Sequence, residues 1–233
     1  MKIAIIPARA GSKRILNKNI KLFHGKPIIA YTIETAKKAG CFDKIIVSTD
    51  DQRIADVAKK YGAEAPFIRP KEISTDYACT LGVIEHALEW CESEAWNIDL
   101  ACCIYATAPF LTKDDLLQGL QEVFNPDVDY AIGVGEYAYP IQRALKIDNN
   151  EMVSMHDNQF ENTRSQDLPN AYHDAGQFYW GRVDAFRQIK PLFSSKTKAI
   201  LLPPERVLDI DTMSDWHYAE FLYQQIHLAS SRQ

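Results

Sequence analysis

Features that would assign many proteins to a class at once are missing from this chain of 233 residues. No apolar run is long enough to cross a membrane, and the run before Pro7 is too short for a signal peptide, so we expect a cytoplasmic protein with no membrane partner. The five cysteines show no CxxC spacing, and an odd number cannot be fully paired within one chain. We therefore predict reduced, mostly buried thiols.

The sequence also lacks the two common nucleotide-binding fingerprints. It contains no GxGxxG, and the small-residue loop at 10–13 does not have the glycine spacing of a Walker A motif. Both absences count against a hydride-transferring dinucleotide enzyme and against a P-loop phosphatase. The net charge of -5 disfavours nucleic acid as a partner, because nucleic-acid binding usually requires a broad basic surface.

What the sequence does contain is a concentrated basic loop directly after its first apolar run. Residues 2–7 have the pattern of a buried strand in a parallel sheet. The turn formed by Ala10, Gly11 and Ser12 lets backbone N–H groups approach an anion. The loop also carries four cationic side chains, those of Arg9, Lys13, Arg14 and Lys18. In an acidic protein this concentration of positive charge indicates a bound polyphosphate.

Helical and extended patterns alternate along the chain, which predicts an α/β fold with a mostly parallel sheet. We predict strands at 2–7, 44–49, 99–105, 129–135, 172–179 and 198–202, and helices at 27–38, 50–61, 79–91, 113–124 and 214–226. Thr112 and Ser214 are expected to cap the last two helices. Ligands of such sheets bind beyond the carboxyl ends of the strands, so the loops after Ile6, Thr49 and Tyr105 should line one crevice.

The length and the apolar content of 46% predict one domain, 1–233, with a single inserted element. Between residues 137 and 172 the pattern loosens into polar, turn-rich sequence. Such an excursion in a compact α/β domain is usually a functional flap, a partner surface or both.

A pair of carboxylates near the end of the sequence, Asp209 and Asp211, is the second candidate for a site. At alternate positions of an extended segment the two side chains face the same way. Mg²⁺ takes one or two protein carboxylates and leaves its other positions for water and substrate phosphates. The same residues also fit a solvated strand end before a helix, and the pair alone does not decide between the two. Together with a cationic phosphate loop, however, it supplies the parts that nucleotide transfer requires.

The chain resembles a known family over nearly its full length and in the correct order of motifs. The motifs are IIPARAGSK at 5–13, Lys18-Asn19, IVSTD at 46–50, Arg69-Pro70, ATAP at 106–109 and DID at 209–211. Together they resemble the CMP-nonulosonic acid synthetases, which include the acylneuraminate cytidylyltransferases. The segments KRI at 13–15 and CIYATAPF at 103–110 resemble the pseudaminic acid branch most closely.

The resemblance implies a Rossmann-like nucleotidyltransferase with helices on both faces of its sheet. Such an enzyme joins CTP to a nine-carbon 2-keto acid sugar with Mg²⁺ and releases pyrophosphate. By position, the residues that contact the nucleotide are Arg9, Ala10, Gly11, Ser12, Lys13, Asn19, Arg69, Thr80, Ala106 and Thr107. Asp209 and Asp211 match the metal-binding pair. We expect these two carboxylates, with Arg9 and Lys13, to carry the chemistry.

The sugar pocket is where the chain departs from the sialic acid pattern. Gln142 stands where those enzymes carry Lys, His173 where they carry Arg, and Tyr105 where they carry Gln. Arg143 and Arg164 are candidates to replace the lost cations. The resemblance adds Gln177 and Tyr179 to the expected sugar contacts. Because polar complementarity discriminates sharply between related sugars, the changes favour pseudaminic acid over sialic acid, with sialic and legionaminic acid as alternatives.

The excursion at 137–172 resembles the dimerisation element of the family, so we expect a homodimer whose partner reaches over the active site. Two functions of other classes stay open at this point. One is a glycosyltransferase with a DxD motif, which would consume a nucleotide-sugar and release no pyrophosphate. The other is a nucleotide-sugar sensor that binds CTP without turnover.

Overall fold

A six-stranded sheet lies between two layers of helices in the computed structural model, which describes residues 1–230. The strands are β1 (Lys2–Pro7), β2 (Leu22–Phe23), β3 (Lys26–Pro27), β4 (Lys44–Ser48), β5 (Leu100–Ile104), β6 (Tyr130–Glu136), β7 (Leu145–Ile147), β8 (Val153–Met155), β9 (Tyr172–Arg182) and β10 (Thr197–Leu201). The helices are α1 (Ile28–Ala39), α2 (Gln52–Tyr61), α3 (Thr80–Ser93), α4 (Lys113–Val123), α5 (Val183–Arg187) and α6 (Met213–Ser230). Short 3₁₀ turns occur at Lys18–Ile20, Lys71–Ile73, Ile141–Arg143, Asn158–Phe160, Ser165–Asp167 and Pro204–Arg206.

The sheet has the order β10-β6-β9-β5-β1-β4, and only β9 runs antiparallel to its neighbours. Helices α1, α2 and α4 pack on one face, while α3 and α5 pack on the other. The central strands are buried on both faces, which explains their nearly continuous apolar sequence. The expected α/β fold with a mostly parallel sheet is confirmed.

The helix caps agree with the sequence at one predicted position and not at the other. Thr112 forms a capping box with Asp115 at the start of α4, as predicted. The prediction of Ser214 as a cap is wrong, because α6 begins one residue earlier and the hydroxyl of Thr212 accepts from the backbone N–H of Asp215 at 3.2 Å. The carboxylate of Asp215 accepts in return from the backbone of Thr212 at 2.7 Å. The same T-x-x-D pattern therefore marks both helices.

The inserted excursion leaves the sheet from β6 and returns to it in β9, at two residues that pair with each other across these strands. Glu136 at the end of β6 is the ladder partner of Tyr172 at the start of β9, and Tyr137 N–H donates to Ala171 C=O at 3.0 Å. Between them lie the β7–β8 hairpin and three 3₁₀ turns. The excursion thus projects from the edge where the carboxyl end of β6 lies.

Strand β9 continues to Arg182, beyond the predicted end at residue 179. Its pairing with β6 shifts register between Ile132 and Val134, close to Gly176, whose φ of 60° lies in the left-handed region. Glycine adopts that conformation without strain, so it allows the bulge. The β2–β3 hairpin and the short helix α5 are further elements that the sequence pattern did not predict.

None of the helices between residues 1 and 230 combines the length and the apolar character needed to span a membrane.

Candidate active site

An open cavity of about 530 Å³ lies beyond the carboxyl ends of β1 and β5. It is lined by Pro7, Arg9, Ser12, Lys13, Arg14, Lys18, Asn19, Arg69, Ile73, Thr75, Asp76, Ala78, Thr80, Val83, Tyr105, Ala106, Thr107 and Asp211. The loops after β1 and β5 meet there, as expected for a parallel sheet. The prediction that the loop after Thr49 also lines the crevice is wrong for the lining that the structure describes. That loop supports the cavity indirectly, since the Thr49 carbonyl accepts from the N–H of Arg69, a lining residue, at 2.7 Å.

The basic loop after β1 is held in shape by two hydrogen bonds from outside it. Asp50 Oδ1 accepts from the backbone N–H of Ala10 at 2.8 Å. Asn19 Nδ2 donates to the carbonyl of Arg9 at 2.9 Å. Ala10 and Gly11 therefore shape the loop, while Arg9, Ser12 and Lys13 line the cavity. Asp51, the next residue, caps helix α2 by accepting from Arg53 N–H at 2.7 Å, so Asp50 is left to hold the loop.

A carboxylate that the sequence analysis missed lies between two of the cationic side chains. Asp76 contacts Arg9 Nη2 at 2.6 Å and Lys13 Nζ at 2.7 Å. Hydrogen bonds from Lys13 and Arg9 lower the pKa of Asp76, so it carries its charge at neutral pH. Because both pairs are exposed, they add little stability. Asp76 instead occupies the position between the cations where an anionic ligand would bind.

Arg69 is the most deeply buried cation of the cavity, with 3% of its surface exposed. Its Nε donates to Ser74 Oγ at 3.0 Å, and no carboxylate of residues 1–230 forms an ion pair with it. Burial lowers the pKa of its guanidinium. The negative charge of Asp50 raises this pKa and the positive charge of Arg9 lowers it, but both effects are smaller than that of burial. A buried charge without an ion-pair partner is costly, so the site is built for an anion supplied by a ligand.

The acidic pair lies beside the basic loop and contacts two of its cations. Asp211 lines the cavity and contacts Arg14 Nη2 at 2.7 Å and Lys18 Nζ at 3.4 Å. Asp209 lies at its margin, outside the lining that the structure describes. Although Asp209 is accessible, partial desolvation and then the charge of Asp211 raise its pKa. The two carboxylates are thus close enough to repel each other.

That arrangement fits a hard divalent cation. Carboxylate oxygens are the preferred ligands of Mg²⁺, and a cation between two repelling carboxylates relieves their repulsion. No cluster of three or more Asp, Glu, His or Cys that could hold a metal occurs in the described part of the chain. Two protein carboxylates with the remaining positions left to water and phosphates match the sparse coordination that Mg²⁺ accepts.

Arg206 anchors the segment that carries the acidic pair. Its guanidinium forms a two-contact ion pair with Asp115 of α4, one contact being Nη2 to Oδ1 at 3.0 Å. Its carbonyl accepts from Gln177 Nε2 on β9. Both partners are distant in sequence, so no local pattern could have identified this anchor.

Tyr105 lies at the far side of the cavity, at the end of β5. Its hydroxyl is 3.0 Å from that of Tyr179, which in turn donates to the carboxylate of Asp174. Tyr179 is 3% exposed and lies behind Tyr105, outside the cavity lining. Burial, first of all, raises the pKa of both phenols. Asp174 is a further residue that the sequence analysis did not assign to the site.

The remaining predicted sugar contacts lie outside the cavity lining of this chain. Gln142 donates to Pro169 C=O at 3.0 Å, and Arg143 donates to Thr163 C=O at 3.1 Å. Arg164 pairs with Asp167 at 2.7 Å. The His173 ring lies 4.9 Å from that of Tyr137, while Gln177 is buried and holds Arg206. Their role in sugar binding stays a prediction.

Comparison with known proteins relates this chain to enzymes named as cytidylyltransferases. Residues 3–232 match a protein family described as cytidylyltransferase. The chain is 44% identical over 225 residues to the pseudaminic acid cytidylyltransferase of Campylobacter jejuni, covering 97% of each chain. It is 31% identical to the CMP-N,N'-diacetyllegionaminic acid synthase of Legionella pneumophila, covering 95% of this chain and 96% of the relative.

A solved structure shares the fold at low sequence identity. It is a CMP:2-keto-3-deoxy-manno-octonic acid synthetase complexed with CTP, with a TM-score of 0.69 and 18% identity. The match covers 96% of this chain and 98% of that one, so the fold is shared over the whole length.

Proposed function

The chain belongs to the cytidylyltransferase family, and from that premise we propose that it joins CTP to pseudaminic acid, giving CMP-pseudaminic acid and pyrophosphate. The observation that carries the proposal is one cavity lined by Arg9, Lys13, the buried Arg69 and Asp211. Cations and a metal-binding carboxylate facing one space are what a nucleoside triphosphate requires.

The chain's own residues act mainly by positioning and by balancing charge. Arg9, Ser12 and Lys13 hold the triphosphate, and Arg69 supplies a desolvated positive charge. The anomeric oxygen of the sugar attacks the α-phosphorus, the bond to the β-phosphate oxygen breaks, and pyrophosphate leaves. Preorganised cations stabilise the charge that develops in this step, which is usually the largest catalytic contribution.

Mg²⁺ is the cation we propose for Asp209 and Asp211. When bound, it would neutralise charge on the phosphate groups and orient them. Arg14 and Lys18, which now pair with Asp211, would hold that carboxylate in place.

The choice of sugar rests on sequence similarity and on the altered pocket residues. The identity of 44% to a pseudaminic acid enzyme exceeds the 31% to a legionaminic acid enzyme. Gln142 and His173 replace the cations expected for sialic acid. Legionaminic acid and sialic acid are therefore the alternative substrates.

The test is to incubate the protein with CTP, Mg²⁺ and each nonulosonic acid separately, and to measure pyrophosphate release and product mass. We expect CMP-pseudaminic acid as the main product. Asp211→Asn should lower the rate by about 100-fold or more, while Asp127→Asn, which removes an exposed turn carboxylate, should not. Consumption of a CMP-sugar without pyrophosphate release would indicate a glycosyltransferase, and CTP binding without turnover would indicate a sensor.

We also propose that the enzyme is a homodimer that works in the cytoplasm, where CTP is available. The excursion exposes large apolar side chains, namely those of Tyr137, Tyr139, Ile141, Leu145, Ile147, Met152 and Val153. A concentration of exposed large apolar side chains in one element indicates a protein interface. A second copy of the chain is the partner that the dimerisation element of the family implies.

A further inference from the structure

Three side chains form a hydrogen-bonded series that runs from the cavity into the protein. Tyr105 lines the cavity, and its hydroxyl lies 3.0 Å from the hydroxyl of Tyr179. Tyr179 donates to Oδ2 of Asp174. The other carboxylate oxygen of Asp174 accepts from the backbone N–H of Gly176 at 2.8 Å. Asp174 itself does not belong to the cavity lining that the structure describes.

The direction of donation along this series follows from the number of protons. A carboxylate only accepts, whereas a tyrosine hydroxyl has one proton to donate. Tyr179 gives its proton to Asp174, so between the two hydroxyls Tyr105 must donate to Tyr179. The proton of Tyr105 is then engaged inside the protein, and its oxygen has only lone pairs to offer a ligand in the cavity that Tyr105 lines.

Thr80 lines the same cavity and forms a hydrogen bond with Tyr105. Because the proton of Tyr105 is engaged by Tyr179, Thr80 must be the donor in this bond. Tyr105 therefore accepts on its cavity side and donates on its buried side.

We propose that Asp174 is a positioning residue that acts through Tyr179 to fix the Tyr105 hydroxyl as a hydrogen-bond acceptor for the sugar substrate. This inference rests on the proposed function. An acceptor at this point selects a ligand group that donates, such as a sugar hydroxyl or an acylamino N–H. A ligand that places a carbonyl or ether oxygen there leaves two acceptors facing each other, which costs affinity.

The experiment compares Asp174→Asn with wild type by steady-state kinetics, with KM measured separately for pseudaminic acid and for CTP. The asparagine oxygen can still accept from Gly176, but its amide donates to Tyr179 and reverses the polarity of both hydroxyls. We expect KM for the sugar to rise about five- to tenfold, with KM for CTP and the melting temperature unchanged. Tyr179→Phe should raise KM for the sugar similarly, and the double variant should be no worse than Tyr179→Phe alone.

Two controls separate this role from a general structural one. Asp184→Asn removes a carboxylate just after β9 that pairs with Arg182 and Lys190, and it should leave both KM values at wild type. Asp174→Glu retains an acceptor for Tyr179 and should recover part of the sugar affinity lost in Asp174→Asn.

Several results would overturn the inference. The first is that Asp174→Asn and Tyr179→Phe both keep the wild-type KM for the sugar. The second is that KM for the sugar and KM for CTP rise equally in these variants while the melting temperature falls. If the wild-type enzyme releases no pyrophosphate with any nonulosonic acid, the proposed function fails and takes this inference with it. If wild type turns over and the variants match it, only the inference fails.

Discussion

Arg9 Nη2 lies 2.6 Å from Asp76 Oδ1, so an acidic side chain of the chain itself is bound by a cation that we propose to hold the triphosphate. Lys13 contacts the other oxygen of the same carboxylate. In the binding mode that we propose, CTP takes both cations from Asp76.

This competition predicts that Asp76→Asn binds CTP more tightly. Removal of the charge frees Arg9 and Lys13, and we expect the dissociation constant to fall about three- to tenfold at low salt, because exposed charge pairs contribute modestly. Calorimetric titration with CTP measures the effect, and it should shrink as ionic strength rises. Glu72→Gln, which removes an equal charge from the same loop, is the matched control. Weaker binding by Asp76→Asn would show that Asp76 supports the nucleotide.

Replacing Arg69 should change CTP affinity and the free energy of unfolding in opposite directions. Arg69→Met removes a buried charge that has no ion-pair partner among residues 1–230, and it keeps most of the side-chain volume. We expect CTP affinity to fall by about 100-fold, as for loss of a charged hydrogen bond, and the free energy of unfolding to rise by about 1 kcal/mol. Titration and urea unfolding measure the two quantities. A variant that loses stability as well would show that Arg69 is chiefly structural.

The ion pair of Asp115 with Arg206 predicts a pH dependence of stability. Burial opposes ionisation of Asp115, but hydrogen bonds from Arg206 and Thr112 outweigh it and lower its pKa below the ordinary 3.8. A lowered pKa stabilises the folded state above pH 3.8, and this contribution is lost as pH falls through the lower folded value.

Urea unfolding of wild type and Asp115→Asn between pH 3 and pH 7 tests this. We expect Asp115→Asn to be less stable by about 3 kcal/mol at pH 7, and the gap to narrow below about pH 4. Asp114→Asn, the exposed neighbour, should track wild type. A gap that stays constant down to pH 3 would contradict the assignment.

The exposed apolar side chains of the excursion predict a dimer that a single charged substitution in the excursion should dissociate into monomers. Leu145 and Ile147 are 60% and 70% exposed in the single chain, and Leu145→Asp would place a charge on that surface. We expect a wild-type dimer and a monomeric variant in analytical ultracentrifugation, since charges are depleted from interface cores. Leu201→Asp, on the exposed side of β10, is a control that should stay dimeric. A wild-type monomer with full activity would refute the proposal.

The strands and most helices were predictable because their signals are local. Buried strands appear as apolar runs, and the cap of Thr112 appears as a T-x-x-D pattern. The direction of β9 was not predictable, since a buried strand has the same composition in either orientation. Tertiary contacts also placed Asp76 beside Lys13, and Arg206 beside Asp115. Pairs so far apart in sequence leave no periodic signal, which is why the basic loop was found and its acidic partner was missed.

Because Glu136 pairs with Tyr172, the excursion is a segment that can be exchanged as a unit. The chain leaves and re-enters the sheet at the paired residues Glu136 and Tyr172. We therefore expect that residues 137–171 can be replaced by a segment of another length while every strand of the sheet stays in place. A lineage could therefore alter its partner contacts while its nucleotide chemistry stayed constant, and a protein engineer can graft the corresponding segment of a relative at the same two positions.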